Sequence, residues 1–209
     1  MFVTFEGPEG SGKSSQIALL ASFLEAQGFA VVRTREPGGT PIGNEIRACV
    51  HNVVNTAMTP VAEMLLYSAS RAQHVGELIR PSLNSGYIVL CDRFADSTIA
   101  YQGYGRGLDL AQLHQVTEIA TGGLKPALTF LLDVDVEVGL ARRTGGGLEM
   151  NRLDLETVQF HQRVREGYHL LAQSDPDRWV IVDGERPLPI IQKELQTKLL
   201  ARLEPQMPG

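Results

Sequence analysis

A glycine-rich octapeptide near the amino terminus has the residue types and spacing of a phosphate cradle. It satisfies the pattern G-x-x-x-x-G-K-[ST] and consists of Gly7, Pro8, Glu9, Gly10, Ser11, Gly12, Lys13 and Ser14. Its glycines permit a tight turn in which backbone N–H groups face phosphate oxygens at the positive end of the following helix. We expect Lys13 to reach the terminal phosphates of a bound nucleotide and the Ser14 hydroxyl to bind Mg²⁺.

A second candidate group, Asp92-Arg93-Phe94, stands at the carboxyl end of a predicted strand. A guanidinium can hold a phosphate through two hydrogen bonds, and a carboxylate can order Mg²⁺ through water or orient an acceptor phosphate. A surface ion pair is the alternative for an isolated dipeptide of this kind. Beside a phosphate cradle, we predict that Arg93 and Asp92 act with Lys13 in catalysis, and that Asp92 joins Ser14 at the metal.

The elements that must position these residues alternate along the chain. Short runs rich in β-branched and aromatic residues predict five strands, at residues 2–6, 29–33, 87–91, 128–133 and 179–182. Amphipathic stretches predict helices, at residues 13–26, 42–51, 60–82, 110–121, 155–173 and 189–203. This alternation predicts an α/β protein of the P-loop NTPase fold, with a five-stranded parallel sheet and helices on both faces. Ligands bind beyond the carboxyl ends of such strands, where the cradle and Asp92-Arg93 both lie.

The composition argues against a nucleic-acid polymer or a membrane as a partner and fits a reducing compartment. The 209 residues, 43% of them hydrophobic, suffice for one sizeable core, and we predict a single domain over residues 1–209. The net charge of −5 argues against binding to a nucleic-acid polymer. No apolar run approaches the roughly 20 residues that cross a bilayer, and the amino terminus lacks a secretory signal pattern. Cys49 and Cys91 lack C-x-x-C spacing. We therefore expect a cytoplasmic protein without membrane attachment.

A phosphate cradle alone does not distinguish a kinase from a GTPase, a transport ATPase or a helicase. The sequence contains neither the N-K-x-D segment that reads guanine in GTPases nor the L-S-G-G-Q segment of transporters. The choice narrows to small-molecule kinases. An ATP-dependent switch that controls a partner and transfers little phosphate is an alternative from a different class.

Five motifs together resemble those of the thymidylate kinases, from the first strand to about residue 173 and weakly beyond. They are the cradle, Thr34-Arg35-Glu36-Pro37-Gly38-Gly39-Thr40, Asp92-Arg93-Phe94, Ala100-Tyr101-Gln102-Gly103 and Asn151-Arg152-Leu153-Asp154. The resemblance implies transfer of the γ-phosphoryl group from MgATP to dTMP, giving dTDP and ADP for dTTP synthesis, by a homodimer. Another nucleoside monophosphate kinase is the nearest alternative. The cradle resembles the family's acidic form, which adds Glu9 to the candidate catalytic residues.

The resemblance assigns two residues of one predicted helix to the nucleobase. Tyr67 takes the position of the aromatic residue that stacks on thymine, where the family usually has Phe, and Arg71 that of the arginine at the base edge. Residues four apart share a helix face, so both can reach one flat base. An arginine donor suits thymine O4, whereas cytosine presents an amino group there. The alternative is a core aromatic and a solvated charge.

Four residues on the turns after Arg93 are implied at the base and the sugar, namely Ser97, Thr98, Tyr101 and Gln102. The Tyr101 ring is implied to lie where a ribose 2′-hydroxyl would project, which favours deoxyribose. The Gln102 amide can accept from the N3–H of thymine and donate to a neighbouring carbonyl, although its orientation cannot be predicted from sequence.

Three further residues are implied at the acceptor site. Arg47 is expected to grip the acceptor phosphate together with Arg93, or else to be a solvated charge at a helix end. Pro37 is expected to shape the wall of the site, since its φ is fixed. Glu36 is expected to order a metal-bound water, to pair with an arginine, or to stabilise a turn.

A lid at about residues 142–153 is implied to supply the arginine that approaches the transferred phosphoryl group, as in the bacterial-type branch of the family. Residues 144–147 are expected to form a mobile loop, because three of them are glycines. Arg152 is the first candidate, since it stands in the motif before a helix, although Asn151 replaces the acidic residue often found there. Arg143 is the second candidate, and Arg142 is expected to stack on adenine.

Overall fold

One parallel sheet organises the computed structural model, which describes residues 1–145 and 150–203. Its strands are β1 (Phe2–Glu6), β2 (Val31–Arg35), β3 (Ile88–Asp92), β4 (Leu128–Asp133) and β5 (Trp179–Asp183). They pair in the order β2-β3-β1-β4-β5, and every pair is parallel. The predicted five-stranded parallel sheet is confirmed.

Helices connect the strands. They are α1 (Lys13–Ala26), α2 (Pro41–His51), α3 (Pro60–His74), α4 (Arg80–Asn84), α5 (Ala95–Thr98), α6 (Leu110–Thr121), α7 (Val136–Gly145), α8 (Val158–Ser174) and α9 (Leu188–Leu203). A π-helical turn at Val75–Ile79 joins α3 to α4, and a second at Ile99–Gly105 extends α5. Within the two described ranges, no helix is both long and apolar enough to span a membrane.

Each face of the sheet is covered by helices, because successive side chains of a strand point to opposite faces. Val3 of β1 points to the face that packs against Leu20 of α1 and Leu195 of α9. Phe2 points to the other face and packs near Ile79, in the π-helical turn after α3. Helix α8 packs against β4 and β5 on this second face. The strand ends that carry the predicted site residues are thereby held in a fixed order.

The observed elements depart from the sequence pattern in several places. The helix predicted at residues 60–82 is divided into α3, a π-helical turn and α4, and α8 begins at Val158, three residues late. Strand β2 begins at Val31, two residues late, because Phe29 still belongs to the turn after Gly28, whose φ is +87°. Helix α7 and the helical segment at residues 95–105 are absent from the prediction. Thr144 and Gly145, expected in a mobile loop, form the last turn of α7, and residues 146 and 147 of that loop lie outside the described residues.

Candidate active site

A cavity of about 730 Å³ opens beyond the carboxyl ends of β1, β2 and β3. A volume of this size suits a small-molecule ligand. Predicted site residues that line it are Glu9, Gly10, Ser11, Gly12, Lys13, Ser14, Glu36, Pro37, Arg47, Tyr67, Arg71, Asp92, Arg93, Ser97, Thr98, Tyr101, Gln102 and Arg142. Three predicted site residues are not among the described residues that line the cavity: Gly7, Pro8 and Arg152.

The glycine-rich octapeptide forms the turn between β1 and α1. Gly10 has a φ of 67°, and a Cβ there would lie 2.0 Å from the carbonyl oxygen of Gly139, so only glycine fits against α7. Inside the turn, the Lys13 Nζ donates to the carbonyl oxygens of Gly7 at 3.1 Å and of Pro8 at 2.8 Å. Burial lowers the pKa of Lys13 to about 8. A cation at the start of a helix, inside a tight loop, is an arrangement suited to phosphate groups.

Two oxygen groups meet at the edge of this turn. The Ser14 Oγ donates a hydrogen bond of 2.6 Å to Asp92 Oδ2, and both residues line the cavity. Hydroxyl and carboxylate oxygens are the ligands that Mg²⁺ takes in nucleotide sites, usually with water and phosphate oxygens completing the shell. The residues present therefore fit the metal that the sequence predicts.

Arg93 is held in a fixed position between the cradle and α8. Its backbone has a φ of 67°, which is uncommon for a residue other than glycine and typical of strained functional positions. Its guanidinium donates to Glu9 Oε1 at 2.7 Å and to the Tyr168 hydroxyl at 2.9 Å, and it lies 4.9 Å from the Tyr101 ring centroid. Burial opposes both charges, but their attraction keeps the pKa of Arg93 well above and that of Glu9 well below its ordinary value. The pair is ionised at neutral pH.

Tyr168 bonds Arg93, and Glu6 bonds Tyr168 in turn; neither residue is predicted from the sequence as part of the site. Glu6 Oε2 accepts from the Ser97 Oγ at 2.6 Å and from the Tyr168 hydroxyl at 3.0 Å, while Oε1 accepts from the Phe94 N–H at 2.8 Å. Burial, followed by the charge of Asp96, raises the pKa of Glu6 to about 7. The available signal was a carboxylate in an otherwise apolar strand, which is rare unless the carboxylate is paired or functional.

Arg71 and Tyr67 stand on one side of the cavity, on α3. Arg71 is only 2% exposed and donates to Glu36 Oε2, to Thr98 Oγ1 and to the Phe94 carbonyl oxygen, at 2.8–3.0 Å. This burial rules out the reading of Arg71 as a solvated charge. A guanidinium has five N–H donors, so two remain for a ligand. The Tyr67 hydroxyl has no hydrogen-bond partner among the described residues.

Tyr101 and Gln102 face the same part of the cavity from the π-helical segment after α5. The Tyr101 hydroxyl donates to Glu9 Oε1 at 2.9 Å, which ties this ring to the cradle. The Gln102 Nε2 donates to Glu63 Oε1 at 2.8 Å. An aromatic ring and an amide thus lie beside Tyr67 and Arg71, as a site for a flat polar ring requires.

The loop after β2 closes another wall. Of the three roles considered for Glu36, the structure supports pairing with an arginine, since its carboxylate bonds Arg71 and, at 3.0 Å, His74 Nδ1. Arg47 donates from Nη1 to the Pro37 carbonyl oxygen at 3.0 Å, and burial lowers its pKa. Arg47 is half-buried and lines the cavity, unlike a solvated charge at a helix end.

The lid arginines occupy different places. Arg142 donates to the Gly184 carbonyl oxygen at 2.9 Å, and Arg143 pairs with Asp154 Oδ2 at 2.8 Å; both arginines line the cavity. Arg152, the first candidate, is 9% exposed and donates to Glu63 and to the Val50 carbonyl oxygen. Its guanidinium is therefore paired inside the protein, and Arg152 is not among the described residues that line the cavity.

A parallel sheet of this order with a phosphate cradle between β1 and α1 defines a P-loop NTPase. Tyr67, Arg71 and Gln102, which line the same cavity, are typical of a P-loop enzyme that also binds an acceptor. The sequence profile described as "Thymidylate kinase" matches residues 5–195. The chain therefore belongs to the thymidylate kinase family.

Individual relatives agree with this assignment. The chain is 52% identical over 207 residues to a thymidylate kinase of Geotalea uraniireducens (strain Rf4), with 97% of both chains covered. It is 54% identical over 190 residues to that of Thermomicrobium roseum, with 91% of this chain and 90% of the relative covered. The crystal structure of thymidylate kinase from Ehrlichia chaffeensis superposes with a TM-score of 0.78 at 34% identity, covering 96% of this chain and 98% of that one.

Proposed function

We propose that the chain transfers the γ-phosphoryl group of ATP to dTMP, giving dTDP and ADP. The observation that carries the proposal is that one cavity is lined both by the phosphate cradle and by the Tyr67, Arg71 and Gln102 group, with Arg93 between them. Direct transfer requires donor and acceptor to share one enclosed space. Membership of the thymidylate kinase family supports dTMP as the acceptor.

On the ATP side, the backbone N–H groups of the cradle and the Lys13 ammonium bind the phosphates. Arg142, held near Gly184, packs against adenine. Ser14 and Asp92 would hold Mg²⁺, which neutralises charge on the β- and γ-phosphates when bound.

On the acceptor side, Arg47 and Arg93 bind the phosphate of dTMP, as their charge and their place in the cavity favour. Tyr67 stacks on thymine, and the two remaining N–H donors of Arg71 suit its O4. Tyr101 lies against the sugar. Ser97 and Thr98 act through Arg93 and Arg71, to which they are hydrogen-bonded.

The reaction needs no covalent enzyme intermediate. A phosphate oxygen of dTMP forms a bond to the γ-phosphorus, and the bond from that phosphorus to the bridging oxygen of ADP breaks. The protein contributes position and positive charge at the transferred group, through Lys13 and Arg93. We further propose that Arg143 supplies the lid charge, because Arg143, although paired with Asp154, lines the cavity, whereas Arg152 is not among the described residues that line it. A single domain, a homodimer and a cytoplasmic location stay predictions.

The test is a panel of acceptors with MgATP and identification of the products. We expect dTDP and ADP in equal amounts, with dTMP preferred over dUMP, dCMP, AMP and GMP. Preference for another monophosphate would assign a different nucleoside monophosphate kinase. A steady ATPase rate that no monophosphate changes would instead favour the ATP-dependent switch.

A further inference from the structure

Glu63 is a buried carboxylate that contacts Gln102 at the nucleobase end of the cavity. It stands on α3 and is 1% exposed. It accepts from the Gln102 Nε2 at 2.8 Å, from Arg106 Nε at 3.2 Å and Nη2 at 3.1 Å, and from Arg152 Nη2. Arg106 and Arg152 are sufficient to balance its single negative charge without any further partner. The bond to an uncharged amide at the cavity wall therefore calls for a separate explanation.

The ionisation of Glu63 determines which end of the Gln102 amide faces it. Burial opposes ionisation, but the hydrogen bonds from Arg106, Gln102 and Arg152 lower the pKa of Glu63 overall. An ionised carboxylate can only accept, so the amide must turn its NH₂ group toward Glu63. The Gln102 oxygen then points the other way. Gln102 lines the cavity, and no donor in the described part of the chain bonds that oxygen.

We infer that Glu63 is a positioning residue for base specificity: by binding the NH₂ group of Gln102, it presents the amide oxygen to the base and so selects a base with an N–H donor at N3. The inference rests on the proposed function. Thymine carries N3–H and can donate to that oxygen, whereas N3 of cytosine is an acceptor and would oppose it. Arg71 adds to this selection, because its N–H donors suit O4, the exocyclic group next to N3.

The experiment compares the Kd of dTMP and of dCMP by calorimetry, which separates recognition from phosphoryl transfer. Glu63→Gln keeps the shape but can donate as well as accept, so the Gln102 amide is no longer held in one orientation. We expect the dTMP preference to fall about ten-fold, the scale of one buried polar mismatch. The matched control Glu156→Gln removes the other carboxylate partner of Arg106 and leaves every bond to Glu63, so the preference should stay near that of the parent.

A Gln102→Met background separates positioning from a general structural effect. If Glu63 acts through Gln102, then Glu63→Gln should change the dTMP preference in the parent and leave it unchanged in Gln102→Met. An equal loss in both backgrounds would overturn the inference. If Glu63→Gln does not fold, Glu63→Asp serves, because it keeps the charge for the arginines and withdraws the carboxylate from the amide; an undiminished preference there would also overturn it.

Different results would overturn the proposed function and the role of Glu63. A parent protein that prefers dTMP, together with a Glu63→Gln variant that keeps the full preference, would overturn only the role of Glu63. A parent protein that binds dCMP as tightly as dTMP would overturn the proposed function and the inference together.

Discussion

At the scale of single residues, the site depends on charges that are wholly or partly buried and that have polar partners. Lys13 lies within the cradle, and Arg93 is bound to Glu9 and Tyr168. Groups held in this way need little reorganisation when charge moves in the transition state, which is the main source of electrostatic catalysis. Substitutions here should therefore affect turnover more than folding.

Lys13→Ala tests the cradle. We expect the phosphoryl transfer rate to fall at least about 100-fold, because the lost charge acts on the transferred phosphates, while the melting temperature changes little. Lys125→Ala, at an exposed lysine, is the control and should behave like the parent. Near-normal turnover in a folded Lys13→Ala protein would contradict the assignment of the cradle.

Tyr168→Phe tests the support of Arg93. Removing the hydroxyl breaks the hydrogen bonds at 2.9 Å to Arg93 and at 3.0 Å to Glu6, but it keeps the packing of the ring. We expect kcat to fall by about ten-fold, because Arg93 acts at the transferred group, with KM for ATP little changed, since Lys13 and the cradle keep their contacts. The control Tyr87→Phe alters an exposed tyrosine. An unchanged kcat would show that Arg93 keeps its position without Tyr168.

At the scale of elements, the sequence predicts those helices and strands whose bounds are set by local residue patterns. Strands β1 and β4 have the bounds that their apolar runs predict, since turn residues end each run. The segment at residues 95–105 was missed because its glycines favour turns, yet they are required by packing: a Cβ at Gly105 would lie 2.7 Å from the Phe160 ring. The bond between Glu6 and Tyr168 joins residues 162 apart, and no local pattern predicts such a contact.

The sequence offers two candidates, Arg152 and Arg143, for the arginine that the lid supplies. Arg143 of α7 lines the cavity, so we expect Arg143→Ala to lower kcat about 100-fold with little change in dTMP affinity, as for a charge that acts on the transition state. Arg152→Ala should lower kcat less, since Arg152 is not among the described residues that line the cavity. Arg33→Ala, at an exposed position, is the control. A larger kcat loss in Arg152→Ala would restore the first candidate, and unchanged kcat in both would exclude a lid arginine.

At the scale of the whole molecule, two carboxylates with shifted pKa values, Glu9 and Glu6, link folding stability to pH in opposite directions. Glu9, whose pKa is lowered to about 2, stabilises the fold above its unfolded pKa, and this contribution is lost in strong acid. Glu6, whose pKa is raised to about 7, has the opposite effect. The pH dependence of the free energy of unfolding sums these contributions. The contribution of one carboxylate is therefore measured as the difference between the parent and a variant that lacks it.

The pH dependence of unfolding should isolate Glu6. Its pKa is about 7 in the folded protein and near 4.5 in the unfolded chain, so the folded protein binds the extra proton between these values. The stabilisation is full below about pH 4.5 and is lost as the pH rises through 7. From urea unfolding at pH 5 and pH 8, we expect the parent to lose on the order of 2 kcal/mol relative to Glu6→Gln, which cannot titrate. Glu25→Gln, at an exposed carboxylate, should differ from the parent by a nearly constant amount. An equal pH dependence in the parent and Glu6→Gln would mean that Glu6 ionises normally in the folded protein.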